Sequence, residues 1–204
     1  RQSDDFNPNT DVVPAAEMPE IDRWAMMRLN SLVEKVMESY RAYEFHSVYH
    51  AIHNFCVVSM SNFYLDVIKD RLYTQKADSV LRRSAQTVMY DILDALCRMI
   101  APILCFTSEE IWQFMPHDDS CDAKSVIFNP MPSVREEFQD DSLAQKWEEI
   151  IAVRADVSKA LEMARTDKII GHSLGAKVTV FAKGKTLELL KAAESDLVTY
   201  FIVS

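Results

Sequence analysis

The chain has 204 residues, of which 49% are hydrophobic and 26% charged, so it is long enough for one good domain and a small second one. Its net charge of −9 excludes a protein that coats nucleic acid without selection, and its 3 Gly nearly exclude a glycine-rich phosphate-cradling loop. Arg1 in place of Met, and the apolar run Tyr200-Phe201-Ile202-Val203 at the other end, suggest a piece of a longer chain.

Residues 1–18 lack periodicity, contain Asn7-Pro8 and Pro14, and read as an extended linker. From Pro19 the pattern turns helical, with Ile21, Ala25, Leu29, Leu32, Val36, Tyr40 and Tyr43 on one face. A second helix carries Phe45, Val48, Tyr49, Ile52, Phe55, Cys56, Met60, Phe63 and Val67, its apolar face centred on Phe45, Tyr49, Ile52 and Cys56. A third opens near Asp78 and runs to Met99, where Pro102 stops or kinks it. Thr107-Ser108-Glu109-Glu110 reads as a capping box for a short fourth helix over Ile111, Trp112, Phe114 and Met115.

Residues 116–141 form a break with one short extended run, Val126-Ile127-Phe128. A fifth helix starts at a second capping box, Ser142-Leu143-Ala144-Gln145, and continues to Ala164. Beyond Gly171 the period changes. Val178, Val180 and Ala182 alternate as a strand would, Thr186–Ala193 reads as a helix, and Leu197–Val203 as a second strand. The expected architecture is mainly α: a linker over 1–18, an antiparallel helix bundle over 19–168, and the start of a small α+β subdomain over 169–204.

No signal or transit peptide opens the sequence, and the apolar run from Met99 to Phe106 is far shorter than the roughly 20 residues a membrane span needs. Cys56, Cys97, Cys105 and Cys121 contain no C-x-x-C pair and read as reduced, buried thiols of a cytoplasmic protein.

Two motifs look chemical. Gly171-His172-Ser173-Leu174-Gly175 matches G-x-S-x-G in letters. A nucleophile elbow needs a strand before the serine and a helix after it, whereas here a helix precedes and a strand is expected to follow. The simpler reading is a helix-ending Gly171 and a turn. His46, His50 and His53 share one helix face, a spacing that can hold a metal. The commoner use of such a stripe is packing at the edge of a core, and we expect no metal.

The segment 69–83 carries Lys69, Arg71, Lys76, Arg82 and Arg83 against Asp70 and Asp78, a balance of +3, which leaves −12 for the rest of the chain. Tyr73 stands among these charges as a possible stacking platform. Lys69 and Arg71 near a helix C-terminus are explicable by the helix dipole alone, at about 0.3–1 kcal/mol each. Arg82 and Arg83 sit near a helix start, where the dipole disfavours them, so they need either an acid across the bundle or a phosphate.

The same residues carry a resemblance. Tyr64-Leu65-Asp66-Val67-Ile68-Lys69-Asp70-Arg71-Leu72-Tyr73, Arg82-Arg83-Ser84-Ala85-Gln86-Thr87 and Ala101-Pro102-Ile103-Leu104-Cys105-Phe106-Thr107-Ser108-Glu109-Glu110-Ile111-Trp112 closely resemble the anticodon-binding domain of bacterial-type isoleucyl-tRNA synthetases. Phe6-Asn7-Pro8-Asn9-Thr10-Asp11, Asp22-Arg23-Trp24 and Ile169-Ile170-Gly171-His172-Ser173-Leu174 fit as well, so the likeness spans nearly the whole chain. The Ala-Pro…Phe-Thr…Glu…Trp pattern is shared with valyl and leucyl relatives, while Ile-Lys-Asp-Arg-Leu-Tyr points to the isoleucyl member. Gly175 departs from the family, which usually has an acid there.

The resemblance implies a class I synthetase helix bundle that holds the anticodon stem and loop of isoleucine tRNA, with Lys69, Arg71 and Tyr73 as RNA contacts. Charge extends that set to Lys76, Arg82 and Arg83. The family's catalytic signatures, His-x-Gly-His and Lys-Met-Ser-Lys-Ser, are absent. ATP, Mg and a C-terminal zinc module are therefore expected in other parts of a parent ligase, and no cofactor here. Expected partners are isoleucine tRNA and the parent's catalytic and C-terminal domains, with no membrane and no DNA. The competing expectation is a helical packing module that positions those domains without touching RNA.

Overall fold

The computed structural model describes residues 5–172 and 175–203. They divide between Gln139 and Asp140 into two compact units. The helix expected to close the bundle thus groups with the C-terminal residues.

The first unit is built on three long rods. Helix α1 (Glu20–Arg41) buries Ile21, Trp24, Ala25, Leu29, Leu32, Val33 and Val36, a stripe at the 3.6-residue period. It ends in a turn with Tyr43 in the left-handed region (φ 58°), where Glu44 N–H reaches back to Ser39 O.

The second rod is continuous from α2 (Phe45–Asn54) to α3 (Leu65–Thr74). Between them, Phe55–Tyr64 widens into a π-helix, so that Leu65 N–H bonds to Met60 O. The inward face of this rod differs from the expected one. Val48, Phe55, Met60, Phe63, Tyr64, Val67 and Ile68 are buried, while Phe45 and Tyr49 are exposed. The apolar residues of α2 occupy one broad side, with Val48 towards one edge and Phe45 and Tyr49 at the other, and it is the Val48 edge that packs.

Helix α4 (Val80–Ile100) completes the trio. Asp22 near the start of α1 meets Arg71 near the end of α3 and Ser84 near the start of α4. At the other end, Tyr40 Oη donates to Met99 O over 2.7 Å. The first and third rods therefore run parallel and the second antiparallel to both.

Residues 5–18 are not a solvent-spanning linker. Phe6, Val13 and Met18 are buried, Phe6 packs on Tyr90 with ring centroids 5.7 Å apart, and Val13 N–H donates to the Thr87 hydroxyl. This strap lies on α4.

Helix α5 (Cys105–Phe114) starts two residues before the expected capping box. Thr107 and Ser108 are inside it, and the buried Ser108 hydroxyl has no hydrogen-bond partner among the described residues. Glu109 instead faces the following loop, accepting from the Ser125 hydroxyl and Val126 N–H. Val126–Phe128 is a 3-10 turn, not an extended run. The loop is anchored by Val126 in a core cluster with Phe6, Cys97 and Trp112, and by Asn30, which exchanges two hydrogen bonds with the Arg135 backbone.

The second unit joins α6 (Asp141–Thr166) to α7 (Gly184–Ala192) and α8 (Glu194–Phe201). The cap of α6 is Asp140, whose carboxylate accepts from Leu143 N–H; Ser142 merely donates to that carboxylate. Trp147, Ile150, Leu190 and Phe201 are buried in this unit.

The α+β expectation for this unit is corrected. No strand occurs among the described residues. Residues 176–183 have no regular secondary structure, and Leu197–Phe201 is helical. Glu194 and Asp196 favour a helix start at that point, and Ile202 ends the helix in the left-handed region. The mainly α class holds.

Candidate nucleic-acid interface

The basic segment 69–83 spans the end of α3, the turn 75–79 and the start of α4. Its members fall into two groups.

Arg71 turns inward. Its guanidinium forks onto the carboxylate of Asp22, which is fully buried, with Nη1–Oδ2 at 3.1 Å and Nη2–Oδ1 at 2.6 Å. Asp22 also accepts from the Tyr64 phenol at 2.9 Å and from the Ser84 hydroxyl. Four hydrogen bonds from three elements thus satisfy one buried carboxylate, which is what an ion in a low-dielectric interior requires. Burial, reinforced by that carboxylate, holds the Tyr64 phenol well above its ordinary pKa, so it remains a donor. The π-helical turn immediately precedes Leu65 and sets the angular position of Tyr64 and Arg71 on the rod.

Arg82 and Arg83 face the strap. Arg82 forks onto the Asp5 carboxylate at 2.9 and 3.0 Å and keeps only 12% of its side chain exposed. Arg83 donates to Asp5 O at 2.8 Å and to Gln86 Oε1 at 2.9 Å, and lies 3.3 Å from the Asp11 carboxylate. Of the two compensations open to these arginines, the structure supplies the acid. Burial works against ionisation of Asp5, but the Gln86 amide and the two guanidinium charges outweigh it and leave its pKa below the usual value. Asp11 is lowered chiefly by the Asn7 backbone N–H.

Lys69, Tyr73 and Lys76 face solvent. Lys69 sits one turn before Tyr73 on α3 and, among the described residues, pairs only with its helix neighbour Asp66, with 60% of its side chain exposed. Tyr73 is 69% exposed. Lys76 lies in the turn just beyond the helix, is exposed, and makes no ion pair among the described residues. An exposed i,i+3 pair contributes little, so Lys69 can exchange Asp66 for a phosphate at small cost. The three therefore form a rim of cation, aromatic ring and cation. Such a rim can neutralise phosphates and stack on an unpaired base.

Sequence reasoning missed the residues that hold the arginines. Asp22 was legible: it lies on the apolar stripe of α1 with Ala25, Met26 and Leu29, a position an acid occupies only with buried partners. Asp5 and Asp11 left no such signal, because the strap has no period.

The remaining motifs resolve as follows. Ser173 and Leu174 lie outside the described residues. On their flanks stand helix α6 before and the irregular stretch 176–183 after, without the strand before and helix directly after that a nucleophile elbow needs. The left-handed residue closing α6 is Lys168 (φ 58°), not Gly171. His46, His50 and His53 are exposed on α2, where packing at the edge of the core was expected. No group of three or more His, Cys, Asp or Glu able to hold a metal occurs among the described residues. The four cysteines are free thiols; Cys97 is buried and its pKa is pushed by burial to about 11, whereas Cys105 is exposed rather than buried. No described helix is long and apolar enough to cross a membrane.

Comparison with known proteins places residues 22–180 in the family described as the anticodon-binding domain of tRNA ligase. Among curated relatives, the isoleucine–tRNA ligase of Caldanaerobacter subterraneus subsp. tengcongensis is 49% identical over 98% of this chain. Those of Syntrophotalea carbinolica and Geobacter sulfurreducens are each 50% identical over the same share. The chain spans about a fifth of the length of these relatives, 21% in each case.

Proposed function

The chain belongs to the anticodon-binding domain family of tRNA ligases, and from that premise we propose that it is the part of an isoleucine–tRNA ligase that grips the anticodon arm of isoleucine tRNA. The observation that carries this reading is the division within the basic segment. The bundle ties up Arg71, Arg82 and Arg83 yet leaves Lys69, Tyr73 and Lys76 together in solvent. Lys69 and Lys76 set the RNA in register through its phosphates, and Tyr73 stacks on a loop base that is free of pairing. Arg71, Arg82 and Arg83 act one step back, by fixing the helix ends from which the rim projects.

Ligation itself, with its ATP and Mg, and the zinc module belong in this reading to other parts of a cytoplasmic parent protein. The test is a titration with isoleucine tRNA and a non-cognate tRNA at low and moderate salt. Preference for the isoleucine tRNA, with a salt slope that falls by about 1 for each of Lys69→Gln and Lys76→Gln, supports the proposal. Equal or absent binding defeats it.

One observation favours a second role alongside the first. Phe106 and Phe114 on α5 are 89% and 85% exposed, an apolar surface of the kind that packs against another part of a longer protein. Docking through that surface is insensitive to salt, which separates it from RNA binding.

A further inference from the structure

Helix α5 packs through one face and leaves another open. Ser108 and Trp112 are fully buried. Thr107, Glu110, Ile111 and Phe114, at the i, i+3, i+4, i+7 spacing of a single helical stripe, border a groove of about 730 Å³. Leu93 of α4, Phe6 of the strap and Met115 complete its apolar lining, the last two buried. Volumes of about 300–1,000 Å³ are those of binding pockets.

Among the described residues the lining holds one charged side chain, Glu110, which is exposed and has neither an ion pair nor a hydrogen bond there. A carboxylate in water needs no partner. Covered by an apolar surface it loses its hydration, and a carboxylate buried without a counter-charge is strongly destabilising. Whatever fills this groove must therefore bring a donor for Glu110, and a cation answers best. The same carboxylate repels a phosphate backbone, so the chemistry suits a protein segment and not RNA.

A second copy of this chain is a poor occupant. A twofold contact through the groove brings two Glu110 carboxylates into one interface, and the net charge of −9 adds to the repulsion. The relatives, by contrast, are long: the matched stretch is 21% of each, so most of such a protein lies outside these residues. We propose that the α4–α5 groove seats a segment of the longer parent protein, apolar where it enters the groove and carrying a Lys or Arg that pairs with Glu110. The inference rests on the docking role of α5 given above and supplies its site and the chemistry of its partner; it is independent of RNA binding.

The experiment compares this chain with the full-length protein that contains it. Both carry Cys105→Ser, which removes an exposed thiol, and Thr107→Cys, a reporter at the edge of the groove. Reaction with a bulky maleimide is followed on the peptide that contains position 107. Protection, the rate in the chain divided by the rate in the full-length protein, should be about tenfold or more. Glu110→Lys should abolish most of it, since the pair becomes a repulsion, and the ratio cancels any direct effect of the new charge on the thiol. Glu110→Gln, which keeps the size and removes the charge, should give a smaller loss in the same direction. Neither variant should move the melting temperature of the chain, because Glu110 is exposed and holds no partner there.

Protection that keeps its full value in both Glu110 variants overturns the inference and leaves a purely apolar docking through α5. No protection in the full-length protein overturns the groove and the docking role together, while the anticodon-arm reading stands or falls by its own titration. Protection that grows in the chain alone with its concentration, alongside a dimer in sedimentation, makes a second copy the occupant and overturns the parent segment. Protection of the chain by added isoleucine tRNA makes RNA the occupant and overturns it as well.

Discussion

Arg71, Arg82 and Arg83 occupy the same short segment as Lys69 and Lys76, and on charge alone the five are equivalent. The structure treats them as two materials. The arginines are drawn into the protein, where a planar fork of donors can satisfy both oxygens of a carboxylate at once, as Arg71 does with Asp22 and Arg82 with Asp5. The lysines, compact and strongly hydrated charges on flexible stems, remain in water beside Tyr73. A basic patch counted from sequence thus overstates the charge available to a partner, and the identity of the cation carries part of the correction.

The largest effect that would break this division concerns the buried pair. Arg71→Ala leaves Asp22 charged and buried with fewer partners, and Asp22→Ala removes the carboxylate that accepts from Arg71, Tyr64 and Ser84. Each should cost about 3–5 kcal/mol of stability, read as a lower urea midpoint. If Arg71→Ala instead kept the midpoint and lost RNA affinity, Arg71 would belong with the lysines. Next in size is Arg82→Ala, which removes the fork to Asp5. Asp5 is more than a third exposed, so solvent screening holds the loss to about 1 kcal/mol. The strap over residues 5–18 should loosen first, seen as faster amide hydrogen exchange at Val13 than in α1.

The division was partly legible beforehand. The helices followed from apolar spacing, because burial of one face is the force that makes them: α1 and α4 show this plainly. Where the apolar side is broader than the contact, as in α2, spacing could not say which edge packs: Val48 is buried and Tyr49 is exposed. The strap was invisible because Phe6, Val13 and Met18 hold it through scattered long-range contacts rather than a repeat. The strands expected after Gly171 failed for a related reason: alternation at 178–182 describes a segment, whereas a strand needs a partner, and the segment that might have paired is helix α8. For the site, the sequence identified the basic segment and the misfit of Arg82 and Arg83 with the helix dipole, but not which compensation they find.

A smaller effect sharpens the comparison through pH. Asp5 and Asp11 have folded pKa values below the ordinary carboxylate value of about 3.9. Their contribution is therefore complete above that value and disappears as pH falls through their lowered folded values. Protection of the Val13 amide, its exchange relative to the intrinsic rate at each pH, should be constant from neutral pH to about pH 5 and decline below about pH 4. In Arg82→Ala the loss at acid pH should be smaller, since one of the charges that lowers Asp5 has gone and less of its contribution remains to be lost. A loss of unchanged size would mean that Gln86, not the arginine, sets the ionisation of Asp5.

The smallest structural effect belongs to the lysines, and its smallness is the point. Lys69 is joined only to Asp66 one turn away, and Lys76 to no acid among the described residues, so neither side chain holds two elements together. Lys69→Gln/Lys76→Gln should leave the urea midpoint and its slope where they are while lowering RNA affinity and its salt dependence. Charge reversal to Glu should deepen the affinity loss without touching the fold, because no carboxylate depends on these two cations for its burial. A drop in midpoint comparable to that of Arg71→Ala would mean that the rim is structural, and the distinction between inward arginines and outward lysines would collapse. An unchanged midpoint with a reduced salt slope would show that the fold and the RNA draw on separate charges within one segment of fifteen residues, 69–83.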